Sequence, residues 1–86
     1  MQYDAKTKNR LKRAEGQLRG ILKMMEDDED CKKVVTQLSA ARTAIDRIIG
    51  VVVSTNLERC VRESIESGTD HSEAVEEAVK LLIRSQ

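Results

Sequence analysis

The sequence contains no proline, no tryptophan and no phenylalanine, and Tyr3 is its one aromatic residue. Without proline, nothing in the chain forces a helix to stop or kink. Without aromatics, and with Ala, Leu, Ile, Val, Glu, Lys and Arg making up much of the rest, the composition favours an all-helical assembly over a sheet. No apolar run approaches the roughly 18 residues of a membrane span. No signal peptide is present, so the two cysteines are expected in a reducing cytosol, where paired thiols serve more often as metal ligands or redox sensors than as structural bridges. A Ser/His/Asp arrangement, a phosphate loop and a paired-carboxylate cleft are all missing, which argues against an enzyme. At 86 residues the chain is expected to form a single domain, 1–86, near the size at which a monomeric core is marginal.

What the chain does have is one long stripe. From Cys31 to Ser67, apolar residues recur at helical spacing: Val34, Val35, Leu38, Ala41, Ile45, Ile48, Ile49, Val52, Val53, Leu57, Val61 and Ile65. Gly50 is the only glycine in that run. At about 1.5 Å per residue the segment predicts a helix roughly 54 Å long. So long a helix in so short a chain needs partner helices to bury its stripe.

Cys31 and Cys60 stand 29 positions apart on this helix. At about 100° per residue they return to within roughly 20° of the same face, yet lie about 43 Å apart along the axis. A disulfide needs Cα atoms within about 7 Å, so no bridge can close within one straight helix. Two copies packed antiparallel, with the midpoint near Ile45 and Asp46, would bring Cys31 of one to Cys60 of the other. The expectation is a homodimer with two identical two-cysteine sites, provided the helix runs unbroken through Gly50.

The flanking segments predict two shorter helices. Residues 1–5 read as a short arm. A first helix follows over about 6–26, with Leu11, Ala14, Leu18, Ile21, Leu22 and Met25 on one stripe. Gly16 and Gly20 interrupt it, either to admit a closely packed helix or simply as tolerated glycines. Residues 26–30 are all acidic and mark a hairpin, with Asp30 as N-cap of the long helix. These carboxylates and the helix N-terminus act on the Cys31 thiolate in opposite directions. Ser67-Gly68-Thr69-Asp70 ends the long helix at a glycine stop. Asp70 and Glu73 resemble a capping box for a last helix, 71–84, with stripe Ala74, Val75, Ala78, Val79, Leu82 and Ile83. The fold class is therefore all-α: three helices, short–long–short.

The formal net charge is zero, but the charge is segregated. Residues 1–25 carry seven bases against two acids, and residues 31–62 carry six bases against Asp46 and Glu58. The blocks 26–30 and 63–86 are net acidic. The basic blocks can form one patch while the acidic ones face elsewhere; a solvated surface of local ion pairs is the alternative.

The two cysteines and His71 are the whole inventory for soft-metal or thiol chemistry. His71 lies in the last loop with no Cys or His nearby in sequence. Asn56 stands one helical turn before Cys60, at a spacing that would chelate a metal if it held a histidine, but an amide is a poor ligand for a soft cation. Two thiolates without a third strong ligand suit sulfur exchange, in which one attacks an electrophilic sulfur and the other resolves the adduct. The competing interpretation makes both cysteines small buried hydrophobes.

The run Arg10-Leu-Lys-Arg-Ala-Glu-Gly-Gln-Leu-Arg-Gly-Ile21, followed by Cys31, Thr36-Gln-Leu-Ser-Ala40 and Cys60, resembles the CsoR/RcnR family of bacterial repressors over nearly the whole chain. The resemblance implies an antiparallel helical dimer assembling to a disc-shaped dimer of dimers, which releases operator DNA when an inducer binds. The family's sensing positions fall on Cys31, Asn56 and Cys60, with Asp30 beside them. Copper-sensing members have Cys, His and Cys there, and nickel- and cobalt-sensing members need further histidines. Cys31, Asn56 and Cys60 together look like the persulfide-sensing CstR branch, in which reactive sulfur species join the two cysteines across the dimer by di-, tri- or tetrasulfide links.

The same resemblance points to Arg10 and Arg47 for DNA contact, with Lys12, Arg13, Arg19 and Arg42 as further candidates. With no helix-turn-helix and no stacking aromatic, the expected contacts are to phosphates, with readout of DNA shape. The sequence is therefore read as a cytoplasmic, tetrameric repressor. Its partners are double-stranded operator DNA and a persulfide or polysulfide inducer; no cofactor, no membrane contact and no metal is expected. The rivals are a Cu(I)-responsive repressor using Cys31 and Cys60, and a helical scaffold without DNA affinity.

Overall fold

The computed structural model describes residues 2–86; Met1, part of the expected N-terminal arm, lies outside the described residues. Three helices follow in order, α1 (Ala5–Glu26), α2 (Cys31–Ser67) and α3 (Ser72–Arg84), with no strand among the described residues. This is the all-α, short–long–short pattern expected.

α1 begins one residue earlier than expected because Asp4 is its N-cap. The Asp4 carboxylate accepts a hydrogen bond from the Thr7 N–H at 2.7 Å, satisfying a donor that a helix start leaves orphaned, and its carbonyl accepts the first regular helical bond, from Lys8 N at 3.1 Å. α1 ends by placing Asp28 in the left-handed region, at φ +56°. Glu29 N donates back to the Met24 carbonyl at 2.9 Å and Asp28 N to that of Met25 at 3.1 Å, the paired bonds of a Schellman closure. Two residues on, the Asp30 side chain accepts from Lys32 N at 3.2 Å and caps α2 as expected.

α2 runs 37 residues and passes through Gly50 unbroken. Its end repeats the Schellman pattern with a true glycine: Gly68 sits at φ +72°, Thr69 N reaches Ser64 O at 2.9 Å, and Gly68 N reaches Ile65 O at 3.3 Å. The start of α3 differs from the expected capping box. His71 occupies the cap position and makes no side-chain cap bond. Asp70, one residue too early to cap Glu73, instead accepts from Ser72 N at 3.1 Å and Ser72 Oγ at 2.7 Å. Those two bonds hold its carboxyl below the usual aspartate range, the hydroxyl acting more strongly than the amide.

The chain divides into two units, residues 2–48 and 49–86. In the first, α1 and the opening half of α2 form a hairpin with Ala14, Ile21 and Ala41 buried. In the second, the closing half of α2 and α3 bury Val53 and Ala78. Leu11, Leu18, Leu22 and Met25 of the α1 stripe stay exposed, as do Val75, Val79, Leu82 and Ile83 of α3. Close helix packing onto Gly16 and Gly20 is not found: a methyl group built on either would meet nothing within 4 Å.

Asp28 in a left-handed conformation carries a steric cost of about 1 kcal/mol that glycine does not. Asp28→Gly should raise the stability of the hairpin by up to about 1 kcal/mol, read as a higher urea midpoint at unchanged slope; an unchanged or lower midpoint contradicts this account. The Asp4 carboxyl is held below its ordinary value of 3.8, first by the Thr7 N–H bond. A depressed folded value makes the cap fully effective above that ordinary value and lost as pH falls through the folded one. The Thr7 amide resonance should therefore titrate with a midpoint below 3.8, and in Asp4→Ala that titration should vanish.

Candidate functional site

Two sets of side chains carry chemistry: a basic set in the first unit, and a thiol set with Cys31 in the first unit and Cys60 in the second. In the hairpin, Arg10, Arg13, Ala14 and Gln17 of α1 face Ala44, Arg47 and Ile48 of α2 around a surface concavity of about 240 Å³. Residues 10, 13 and 17 fall on one face of α1 by helical spacing, and Arg47 reaches it from α2. A second concavity, of about 350 Å³, is lined by Lys6, Asn9, Arg10 and Arg13. Arg10 and Arg13 border both.

Three guanidinium groups opening to solvent from two packed helices suit a phosphate-bearing partner. Each is permanently charged and presents a planar fork of donors. Of the six basic residues expected from sequence, the structure gathers Arg10, Arg13 and Arg47 at one concavity. Lys12 and Arg42 are exposed but do not line it. Arg19 is turned to Glu15 in an exposed ion pair at 3.1 Å. Gln17, Lys6 and Asn9 were not singled out from sequence, although the i, i+3, i+7 spacing from Arg10 to Arg13 and Gln17 was there to be used.

Cys31 is the first residue of α2 and is exposed; it is a free thiol. Its N-terminal neighbour Asp30 directs its carboxylate at Lys32 N. Within the single chain Cys31 is not part of the buried core. In the second unit Cys60 is also free, and half-buried. Asn56, likewise half-buried, uses its side-chain oxygen to accept a hydrogen bond from an Arg59 guanidinium nitrogen at 3.1 Å. The other terminal nitrogen of Arg59 holds Glu63 at 3.2 Å. Ser64 Oγ donates to the Cys60 carbonyl at 2.9 Å.

These donors fit a metal poorly. Among the described residues no group of three or more His, Cys, Asp or Glu side chains is arranged to hold a metal ion. The side chain at metal-ligand spacing from Cys60 is an amide, a hard and weak donor for a thiolate-preferring cation, and its oxygen already accepts from Arg59. His71 stands in the loop before α3 and is exposed. No helix among the described residues is long and apolar enough to cross a membrane.

The family model described as metal-sensitive transcriptional repressor matches residues 3–84. The chain is 60% identical over 63 residues to the uncharacterized protein YrkD of Bacillus subtilis, covering 73% of this chain and 100% of that one. It is 39% identical over 69 residues to the copper-sensing transcriptional repressor CsoR of the same organism, covering 80% of this chain and 67% of the other. With the copper-sensing transcriptional repressor RicR of Mycobacterium tuberculosis it shares 39% identity over 59 residues, spanning 69% of this chain and 62% of that repressor's length. The solved structure of the nickel-responsive transcriptional regulator InrS superposes with a TM-score of 0.80 at 28% identity, over 100% of this chain and 97% of that one.

Proposed function

This chain belongs to the metal-sensitive transcriptional repressor family, and from that premise we propose a cytoplasmic, non-enzymatic DNA-binding repressor of the CstR type, induced by persulfides or polysulfides. The observation that carries the inducer is the thiol set: an exposed Cys31 and a half-buried Cys60, accompanied by an amide at position 56 whose oxygen is already engaged. In this reading two chains pack antiparallel through α2, pairing Cys31 of each with Cys60 of the other, and two dimers form the tetramer. The exposed apolar side chains of α1 and α3 supply the surface such an assembly covers.

The chemistry balances within the named species. One thiolate attacks the sulfane sulfur of a persulfide donor, expels the donor's thiolate and becomes a persulfide. The second cysteine then attacks the inner sulfur of that persulfide, closing a disulfide and expelling hydrosulfide. The two thiols lose two electrons, which leave on the reduced sulfur. If a further sulfane sulfur is retained in the bridge, the product is a trisulfide or longer.

Operator DNA is the partner proposed for the Arg10, Arg13 and Arg47 concavity, through phosphate contacts. Crosslinking acts on this face through helix packing, and a coupling of about 1–3 kcal/mol suffices for regulation. Copper response is the second reading, favoured by the relatives named as copper-sensing repressors; it would rest on the two thiolates and a weak third ligand.

Two experiments test these claims. Reduced protein should retard DNA from upstream of its own gene, with affinity falling steeply as salt rises. Arg10→Ala and Arg47→Ala should each weaken binding and lower the salt slope by about one for every copy in contact; an unchanged slope removes that residue from the interface, and the absence of any retardation leaves only a helical scaffold. After polysulfide treatment, denaturing non-reducing mass spectrometry should find dimers joined through Cys31 and Cys60, some heavier by whole sulfur atoms, together with lost DNA retardation. Unmodified monomers that instead load Cu(I) stoichiometrically would hand the site to copper.

A further inference from the structure

Around Cys60, α2 orders its side chains by angle. Taking about 100° per residue, Asn56 lies between Arg59, roughly 60° to one side, and Cys60, roughly 40° to the other. A guanidinium carries only donors, so whatever it binds on Asn56 has to be the carbonyl end of the amide, here at 3.1 Å. The amide is planar, with oxygen and nitrogen on opposite sides of its carbon. Turning the oxygen toward Arg59 turns the N–H₂ toward the Cys60 side of the helix. Glu63, held by the other arm of the guanidinium at 3.2 Å, keeps Arg59 lying along the helix in position to do this.

The other polar group beside Cys60 is already committed. Ser64 donates its hydroxyl proton to the Cys60 carbonyl at 2.9 Å. The remaining neighbours one turn away and next in sequence, Leu57 and Val61, are apolar. On its own helix, the Asn56 N–H₂ is an uncommitted donor one turn from Cys60; it makes no hydrogen bond to the Cys60 sulfur in the single reduced chain.

We infer that Arg59 is a positioning residue for sulfur sensing: by holding the Asn56 carbonyl it leaves the amide N–H₂ as the end free to face the Cys60 side, a donor that anionic sulfur formed there can engage. This inference rests on the persulfide reading and deepens it. In the exchange described above, negative charge resides on the Cys60 thiolate as it attacks, or on the terminal sulfur of a Cys60 persulfide. A fixed N–H stabilises either, and it offers nothing to a cation, which needs a lone pair turned inward. Arg59 touches no reacting atom; its effect passes through Asn56.

The test is a time course of polysulfide crosslinking on full-length protein, followed by intact mass, for wild type, Arg59→Ala, Arg59→Lys and Asn56→Leu. Losing one hydrogen bond to charged sulfur should slow crosslink closure about tenfold in Arg59→Ala and in Asn56→Leu. Arg59→Lys, which can still donate to the carbonyl, should recover most of the wild-type rate. Reduced variants should retain wild-type thermal midpoints and DNA retardation, separating positioning from folding. In wild type the Asn56 side-chain N–H₂ resonances should move when Cys60 is persulfidated, and in Arg59→Ala they should not. Wild-type rates in Arg59→Ala or Asn56→Leu would overturn the inference while leaving the sensing reading intact. A wild-type protein that polysulfide leaves untouched would overturn the sensing reading, and this inference with it.

Discussion

The continuity of α2 is the constraint on which the rest depends. One uninterrupted helix of 37 residues carries both thiols, Arg47 and the whole of the long apolar stripe. On an unbroken straight helix the rise per residue alone would put two thiols 29 positions apart far beyond bridging distance, which is why the proposed chemistry between Cys31 and Cys60 draws on a second chain. The same continuity limits burial. Among the described residues the buried apolar side chains are Ala14, Ile21, Ala41, Val53 and Ala78, three of them alanines. A core of that kind supplies little of the apolar transfer free energy a stable domain needs, whereas Leu11, Leu22 and Ile65 remain 57%, 55% and 69% exposed. The proposed assembly and the proposed sensing thus answer one geometric fact.

The two helix ends show how local chemistry supports that continuity. Both α1 and α2 stop by the same pair of backward hydrogen bonds, one around Gly68 and the other around Asp28. Glycine is the expected residue for a left-handed cap; Asp is among the few others that tolerate it. At residues 26–30, which are all acidic, the chain accepts the strain of a non-glycine cap in a turn where Asp30 must also start α2. The turn is short because one carboxylate run both ends a helix and begins the next.

The sequence made most of this architecture legible, for identifiable reasons. α2 was bounded correctly at Cys31 and Ser67 because an acidic N-cap and a glycine stop flank an unbroken period. α1 was misjudged by one residue, since Asp4 as a cap is obvious only once the Thr7 bond is seen. At α3, Asp70 and Glu73 have capping-box spacing, but Ser72 offers the Asp70 carboxylate a nearer hydroxyl and amide, and the cap position passes to His71. Periodicity alone named every stripe residue without telling Ala14, which is buried, from Leu11, which is not. Both satisfy the same pattern, and only the neighbouring helix distinguishes them. Likewise, sequence offered six basic candidates for one face, and spacing along α1 could not reveal that Arg47 meets Arg10 and Arg13 across the hairpin while Arg19 is paired with Glu15.

What position 56 must do differs in sign between the two readings of the sensing thiols. A soft cation between thiolates needs a third lone pair facing inward, from a side chain whose donor atom is free. Anionic sulfur needs the reverse, a proton facing inward. An amide can serve either need, because it has one end of each kind, and what decides between them is which end the surroundings occupy. Here a guanidinium that has no lone pair to offer occupies the oxygen. On the proposed reading, a change of inducer within a family described as metal-sensitive would need neither a new fold nor a new thiol pair. On that reading it would need a residue one helical turn from Cys60 that can present a donor, and a cation on the far side to keep it turned that way.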